Sequence, residues 1–430
     1  MTVVAAAFVV RLVYNLFVHP PLDYVTSDMA GYVRRATEAL DVPWSTKRPT
    51  STFFPYGTHV FVAGIRAVFG REARAPIGIA FAGLGAAAVG FAFALAQRLA
   101  PAENRRLLLS IFGTLLVVHV PLIMLGSFVL SEVPFSCALA AAVFYSVRFD
   151  DERRTRDAAF AGIAFALAMT VRPQVVVSLA LMGCLIVARR WKNRSSPPAP
   201  TERRVLPALL FVVPIAIVAM LSAHRVHHHT DRWGFVSTNG GFNLAFGRCH
   251  PTRLSATDTR SSGFEVPSLK HLATFQDKHG WKPIVDLDPA YGTDLKIEGE
   301  IWDESAARKL AGECMQRTGP LRQLKYSATH LLLLYAYNLP WPTKGVVANV
   351  WAILQVAWIP GLVVALFRIV RQPDSRNGLV AAQVFALLAV AWIFFGEARL
   401  RVPYDPFIMW LALSVYVPIG LRLRSRRRES

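Results

Sequence analysis

The run Phe53-Phe54-Pro55-Tyr56-Gly57-Thr58-His59, which opens an apolar stretch ending at Gly70 and carrying Arg66, decides how this chain is folded. Whether residues 53–70 cross a membrane sets the side on which every later segment lies. Composition brings the membrane in: the 430 residues are 53% hydrophobic and mean hydropathy is +0.37. Apolar runs of about 15 to 22 residues recur along the chain, long enough to span hydrocarbon as helices. The net charge of +19 does not point to nucleic acid. Its Lys and Arg gather in short linkers between apolar runs, where they orient helices. Five such linkers stand at 98–106, 148–157, 189–204, 368–376 and Arg422–Arg428. All five lie on the cytoplasmic side only if residues 53–70 do not cross.

The spans expected on that basis are 2–18, 76–97, 107–124, 132–148, 157–171, 174–190, 205–223, 346–368, 377–396 and 404–420, with both termini inside. The expected fold class is an all-α polytopic membrane protein of about ten transmembrane helices. Juxtamembrane helices lie in its first outer loop, and a larger α-rich region lies outside. Residues 53–70 become a juxtamembrane or re-entrant element packed against protein. Three regions follow: a transmembrane module over 1–223 that includes the outer loop 19–75, an outer region over 224–345, and C-terminal helices with a basic tail over 346–430. The Pro- and Ser-rich stretch 191–204 is a linker. The first apolar run has neither a basic n-region nor a small-residue cleavage site and is taken as a retained span. Arg11 within it must face protein, because exposure to lipid costs roughly 2.5–3.5 kcal/mol.

Between Pro21 and Pro43 an amphipathic helix is expected over Asp28–Leu40. Asp28 stands near its N-terminus, where the helix dipole favours a carboxylate. Capping by Ser27 or Asp28 explains the spacing as well, and spacing alone favours it. On the topology above, Asp28, His59, Glu132, Arg172, Lys344, Glu397, Arg399 and Arg401 all fall at outer helix ends or in outer loops. Ionisable groups at membrane depth are functional candidates. Each has a plainer use: Arg172 as a helix C-terminal cap, Glu132 as an ion-pair partner, His59 as a packed neutral imidazole. Arg399 and Arg401 suit a phosphate, since guanidinium binds oxyanions bidentately, and snorkelling to headgroups is the alternative. His224, His227, His228 and His229 lack the separated ligands of a structural zinc site and read as an interfacial patch. Thr238–Gly247 reads as a Gly/Asn turn region over a pocket, and 301–323 as a soluble helix. Cys249 and Cys314 both lie outside, where an oxidising compartment permits a disulfide. Cys137 and Cys184 lie in spans and read as packing residues.

Four stretches, in order along the chain, carry a family likeness. They are Asp28-x-x-x-Tyr32-x-x-x-Ala36, Phe54-Pro55-Tyr56-Gly57-Thr58-His59, Ser131-Glu132-Val133-Pro134, and Ser237-Thr238-Asn239-Gly240-Gly241-Phe242-Asn243 through Gly247. Gly396-Glu397-Ala398-Arg399-Leu400-Arg401-Val402-Pro403 is a looser fifth. The chain resembles the C-type glycosyltransferase superfamily, and within it the bacterial relatives of protein O-mannosyltransferases and lipid A aminoarabinose transferase. The resemblance implies inverting transfer of a sugar from a polyprenyl-phosphate donor to an acceptor hydroxyl on the outer face of a bacterial plasma membrane. It makes Asp28 the general base, reversing the preference for capping.

By the same resemblance Tyr32, His59, Glu132, Arg172, Lys344, Glu397, Arg399 and Arg401 bind substrate or hold the site, with Arg399 or Arg401 at the leaving phosphate. Expected partners are the lipid-linked donor, membrane lipid, and an envelope lipid, glycan or protein as acceptor, with no nucleic acid. Two departures matter. Met29 stands where many relatives have a second acid, which argues for no metal cofactor, although Asp28 with Glu132 remains a conceivable divalent site. Phe54 stands where the aminoarabinose branch has a Lys, so that branch's sugar does not carry over. Two other functions stay open: a transporter or flippase of a lipid-linked or anionic substrate, which lacks support from any internal repeat, and a non-catalytic membrane scaffold.

Overall fold

The structure, a computed structural model, describes residues 2–192, 202–251, 253–256, 264–265, 294–335, 346–372 and 376–429. Eleven helices make up its N-terminal half. They are α1 Thr2–Val13, continued by a π-helical turn Tyr14–Val18, α2 Ser27–Asp41, α3 Gly57–Phe69, α4 Arg74–Leu99, α5 Arg105–Val117, α6 Val120–Leu125, α7 Glu132–Glu152, α8 Thr155–Val171, α9 Val175–Lys192, α10 Glu202–Thr230 and α11 Gly240–Cys249. There follow strands β1 Arg253–Ala256, β2 Phe264–Glu265 and β3 Asp294–Ile297, then α12 Glu304–Leu333, α13 Val346–Arg371, α14 Gly378–Ile393, α15 Ala398–Arg401 and α16 Asp405–Glu429.

Among the described residues, five segments are long and apolar enough to cross a membrane: Arg74–Leu99, Glu132–Glu152, Val205–Thr230, Leu354–Arg371 and Ala398–Ser425. Four shorter apolar helices accompany them, Thr2–Val18, Gly57–Phe69, Val175–Arg189 and Gly378–Ile393. The chain is a multi-pass helical membrane protein. Every stretch expected to span is helical, but 107–124 is broken: α5 ends at Val117, and α6 restarts on Pro121 with the His119 imidazole accepting from the Leu122 amide. The all-α expectation also needs amending. Among the described residues, the region that follows α11 holds a three-stranded sheet in the order β2-β1-β3, with β1 antiparallel to β2 and parallel to β3. Leu254 and Ala256 alternate inward from β1 into a small core with α11 and α12, a four-residue period-2 signal too short to stand out in the sequence.

The bundle core is built from Ala, Leu, Val and Phe of α4, α5, α7, α8, α14 and α16. Arg11 is buried there as expected, its guanidinium donating to the carbonyls of Ala7 (3.1 Å) and Leu116 (3.2 Å). Thirteen residues of α3 cover about 20 Å at 1.5 Å per residue, short of the ~30 Å hydrocarbon core. Its inward face, Thr58, His59, Val62, Ala63 and Arg66, is buried, and Arg66 donates to Thr37 Oγ1 of α2 at 2.7 Å. The deciding stretch therefore packs against protein through α2.

Candidate active site

The helix expected over Asp28–Leu40 runs from Ser27 to Asp41. Its N-cap is Thr26, no side chain caps it, and Ser27 holds a left-handed φ of 49°. Such strain in a non-glycine residue costs about 1–3 kcal/mol and gathers at functional sites. Freed from capping, the Asp28 carboxylate turns to Arg399, whose Nη2 donates to Oδ2 at 2.8 Å. Arg399 Nε lies 2.8 Å from Glu132 Oε1. The same oxygen accepts from Arg172 Nη2 at 2.5 Å, while Arg172 Nε donates to Ser131 Oγ at 3.0 Å. Four residues brought from α2, the start of α7, the end of α8 and α15 thus form a chain of alternating charge, Asp28–Arg399–Glu132–Arg172.

Each position follows from local sequence. Glu132 opens α7, where the helix dipole favours a carboxylate. Arg172 precedes Pro173, which ends α8 and leaves Arg172 extended at the C-cap. Side-chain exposure is 18% for Asp28 and 14% for Arg399, then 8% for Arg172 and none for Glu132. The chain of charge is therefore accessible at its Asp28 end and buried toward Glu132 and Arg172. Glu132 Oε2 and Arg172 Nη1 have no hydrogen-bond partner among the described residues. Tyr32, one turn along α2 from Asp28, is buried beside Phe54. Burial first, then the charges of Asp28 and Glu132, push its phenol up to about 12 and keep it neutral.

The remaining candidates separate. Glu397, at the N-cap of α15, is buried and its charge acts on Arg399. Arg401 leaves the group: it donates to Asp405 Oδ1 (2.7 Å) and to the Leu334 carbonyl (2.9 Å), and Asp405 in turn meets His119 at 3.2 Å. Lys344 lies outside the described residues. His59 is buried in a second, cationic cluster around the short 3-10 turn Pro49–Thr52. Burial, then Arg225, Arg35 and Arg48, push its imidazole down to about 3, so it is neutral there.

In this second cluster Arg35 donates to the carbonyls of Gly31 (3.0 Å) and Thr50 (2.8 Å) and lies over the Phe54 ring. Arg225 donates to the Ser51 carbonyl (2.6 Å) and lies over the Tyr56 ring. Arg48 shares Glu38 with Arg34. Neither Arg35 nor Arg225 pairs with a carboxylate among the described residues, so positive charge is in excess. Sequence reasoning missed both. Arg35 looked like the polar face of an amphipathic helix, and Arg225 was lost in the His-rich end of α10. The signal available was their side, since Arg at an outer boundary runs against the positive-inside preference.

The outer region holds the segment that leads to Arg399. Thr238–Gly247, expected as a turn region, instead enters α11. Arg248 Nη2 and Ser327 Oγ both donate to the Trp392 carbonyl, at 2.7 and 2.8 Å. A Cβ on Gly247 would lie 1.3 Å from the Phe394 oxygen, and one on Gly396 would lie 1.8 Å from the His330 oxygen. Backbone thus meets backbone at both positions, and only glycine allows it. Cys249 and Cys314 are disulfide-bonded, with Cα atoms 5.2 Å apart, tying α11 to α12. Beside them His250 and His330 share a 2.9 Å Nε2–Nε2 hydrogen bond. Burial, then His330 and Arg248, push the His250 imidazole well below 6.5. A depressed His contributes its stability in full above about 6.5, the unfolded value, and loses it as pH falls below that. The melting temperature of the wild type should therefore drop more from pH 7.5 to pH 5 than that of His250→Gln, and equal drops would contradict the assignment.

Among the described residues no three His, Cys, Asp or Glu side chains gather as metal ligands. The pair weighed as a divalent site, Asp28 with Glu132, is bridged by the Arg399 guanidinium, which places a cation where the metal would sit.

Residues 55–233 match the family described as dolichyl-phosphate-mannose-protein mannosyltransferase. In architecture the chain is similar to the oligosaccharyltransferase of Archaeoglobus fulgidus in the apo form, with a TM-score of 0.50 at 13% identity over 98% of this chain and 51% of that one. For the same enzyme in complex with Zn and sulfate the values are 0.50, 12%, 99% and 50%. The chain thus spans about half the length of these oligosaccharyltransferases. For ArnT from Cupriavidus metallidurans bound to undecaprenyl phosphate the TM-score is 0.39 at 16% identity, over 97% of this chain and 77% of that one. No curated protein matches it in sequence. The family match and the shared architecture bear out the resemblance carried by the sequence motifs: this chain is similar to the C-type membrane glycosyltransferases.

Proposed function

We propose that the chain moves a sugar from a polyprenyl-phosphate donor to an acceptor hydroxyl on the outer face of a bacterial plasma membrane, with Asp28 as general base. The observation that carries the reading is the chain Asp28–Arg399–Glu132–Arg172, with its accessible end at a carboxylate. In the step, the acceptor oxygen attacks the anomeric carbon from the face opposite the phosphate. The carbon–oxygen bond to phosphate breaks as the new one forms, inverting that carbon. The acceptor proton passes to Asp28, and the lipid phosphate departs with the electron pair. General-base assistance of this kind is worth ~10²–10⁴-fold.

Charge growing on the leaving phosphate needs fixed cations. Arg399 faces one side of Asp28 and supplies one. Arg35 and Arg225, which lack carboxylate partners among the described residues, supply a second cationic surface, and they replace Arg401 in that role because Arg401 is taken by Asp405. Tyr32, on α2 between Asp28 and Arg35, stays neutral and orients a hydroxyl. A lipid-phosphate sugar as donor is supported by the family match, whose description names dolichyl-phosphate-mannose. The outward side is supported by the topology expected from the basic linkers, which puts the Asp28 cluster and the Cys249–Cys314 bond on one side, and by the disulfide itself, which suits an oxidising exterior.

Loss of the gene followed by mass analysis of envelope glycans and lipids tests the proposal. The expected result is one sugar missing from one acceptor class, with its lipid-phosphate donor accumulating. An unchanged envelope with an unchanged donor pool would overturn it.

A further inference from the structure

Helix α12 changes character at its midpoint. Gly319, with φ 74° and ψ 167°, breaks the helix immediately before Pro320. Before the break the helix follows the rule for water: Ala307, Ala311 and Cys314 face inward, while Arg308, Lys309, Glu313, Gln316 and Arg317 are exposed. Beyond it the rule inverts. The buried side carries Ser327, Thr329 and His330 with Tyr326 and Leu333. Leu321 is 70% exposed, Leu324 52% and Leu332 57%, and Ala328 is exposed between them. Residues 321, 324, 328 and 332 share one stripe at helical spacing. A helix that turns its hydrogen-bonding groups inward and its leucines outward is surrounded by something apolar.

Three further observations say what surrounds it. Positive charge stands at the break, on Arg317, Arg322 and Lys325, and from 326 to 335 the sequence has no Asp, Glu, Lys or Arg. The half-helix adjoins the end of α14 through its buried side, where Ser327 Oγ donates to the Trp392 carbonyl, and Trp392 and Ile393 are themselves exposed. The far end reaches a span: Arg401, inside the apolar segment Ala398–Ser425, donates to the Leu334 carbonyl. At 1.5 Å per residue, Leu332 lies about 16 Å further along the helix than Leu321, close to the thickness of one hydrocarbon leaflet.

We propose that the half-helix Pro320–Leu333 is inserted in the membrane leaflet on the side of the Asp28 cluster, with Gly319–Pro320 at the water boundary. Its leucine stripe faces acyl chains, and Arg317, Arg322 and Lys325 reach the phosphates of anionic headgroups. The outer region is then a membrane-seated cover over the Arg399 segment rather than a free soluble domain.

Single cysteines at Arg308, Leu324 and Leu332 test this in the full-length protein with Cys137→Ser and Cys184→Ser, in nanodiscs of phosphatidylcholine and phosphatidylglycerol. A water-soluble maleimide should label Arg308→Cys readily and the two leucine positions about tenfold more slowly, because an apolar setting suppresses the thiolate. Nitroxides at Leu324→Cys and Leu332→Cys should be relaxed by oxygen and not by a water-soluble nickel chelate, Leu332→Cys the more strongly. Labelling as fast as at Arg308→Cys would overturn the proposal. So would slow labelling without oxygen relaxation, which would mean that protein covers the stripe.

Discussion

Asp28→Asn should lower turnover by roughly 10²–10⁴-fold, the usual worth of a positioned general base, and leave the fold and donor binding intact. Asparagine keeps the size and one acceptor oxygen, so Arg399 Nη2 retains a partner where it now meets Asp28 at 2.8 Å. Arg399 also keeps Glu132, and the cationic surface is unchanged. What disappears is the ability to take a proton. The substitution also separates the alternatives weighed from sequence. Asparagine caps helix N-termini about as well as aspartate, so a capping role predicts no loss at all. A transporter would keep its flux and a scaffold its partner. Turnover measured with purified protein in nanodiscs, alongside the melting temperature and binding of polyprenyl phosphate, checks the result. Turnover within a few fold of wild type would remove Asp28 from the chemistry.

Much of this arrangement was legible because the membrane makes sequence easy to read. Apolar length and the placement of Lys and Arg give helices and sides, and the expected stretches are all helical. The parity of basic linkers kept residues 53–70 from being counted as a span, in keeping with a 13-residue helix packed on α2. Asp28, Glu132, Arg172 and Arg399 were each singled out as ionisable residues at apolar boundaries, and they meet. Periodicity does not record which guanidinium goes to which carboxylate. Arg399 and Arg401 are two residues apart, yet the short helix α15 sends one to Asp28 and the other to Asp405. Asp405, buried at the start of α16, was absorbed into an apolar run and passed unnoticed. Arg35 and Arg225 were missed for a related reason, because what marks them is the carboxylate they lack, a three-dimensional fact. In Thr238–Gly247 the Asn and Gly residues suggested a turn, but the two glycines at 240 and 241 begin α11, with Glu304 of α12 packed against both.

Glu132→Gln should be the most damaging single change near the site, costing both stability and turnover. Glu132 is fully buried and one of its oxygens serves Arg172 and Arg399 together. Gln keeps a carbonyl oxygen where Oε1 now serves both guanidiniums but carries no charge, and its amide donates beside two cations, so both guanidiniums lose their counter-charge. Removing one partner of a buried ion pair typically costs about 3–5 kcal/mol, because the remaining charge is left uncompensated. Turnover falls through Arg399, which Glu132 holds against Asp28. Adding Arg172→Gln to Glu132→Gln removes a cation that the first change stranded, so the double variant should regain part of the melting temperature. Its turnover should stay low, since Arg399 still lacks its second anchor. Melting curves and rates for the two single variants and the double variant form a cycle in which stability couples strongly and activity does not. Additive stabilities would mean that Arg172 and Glu132 do not act as a pair, and the alternating chain of charge would then end at Glu132.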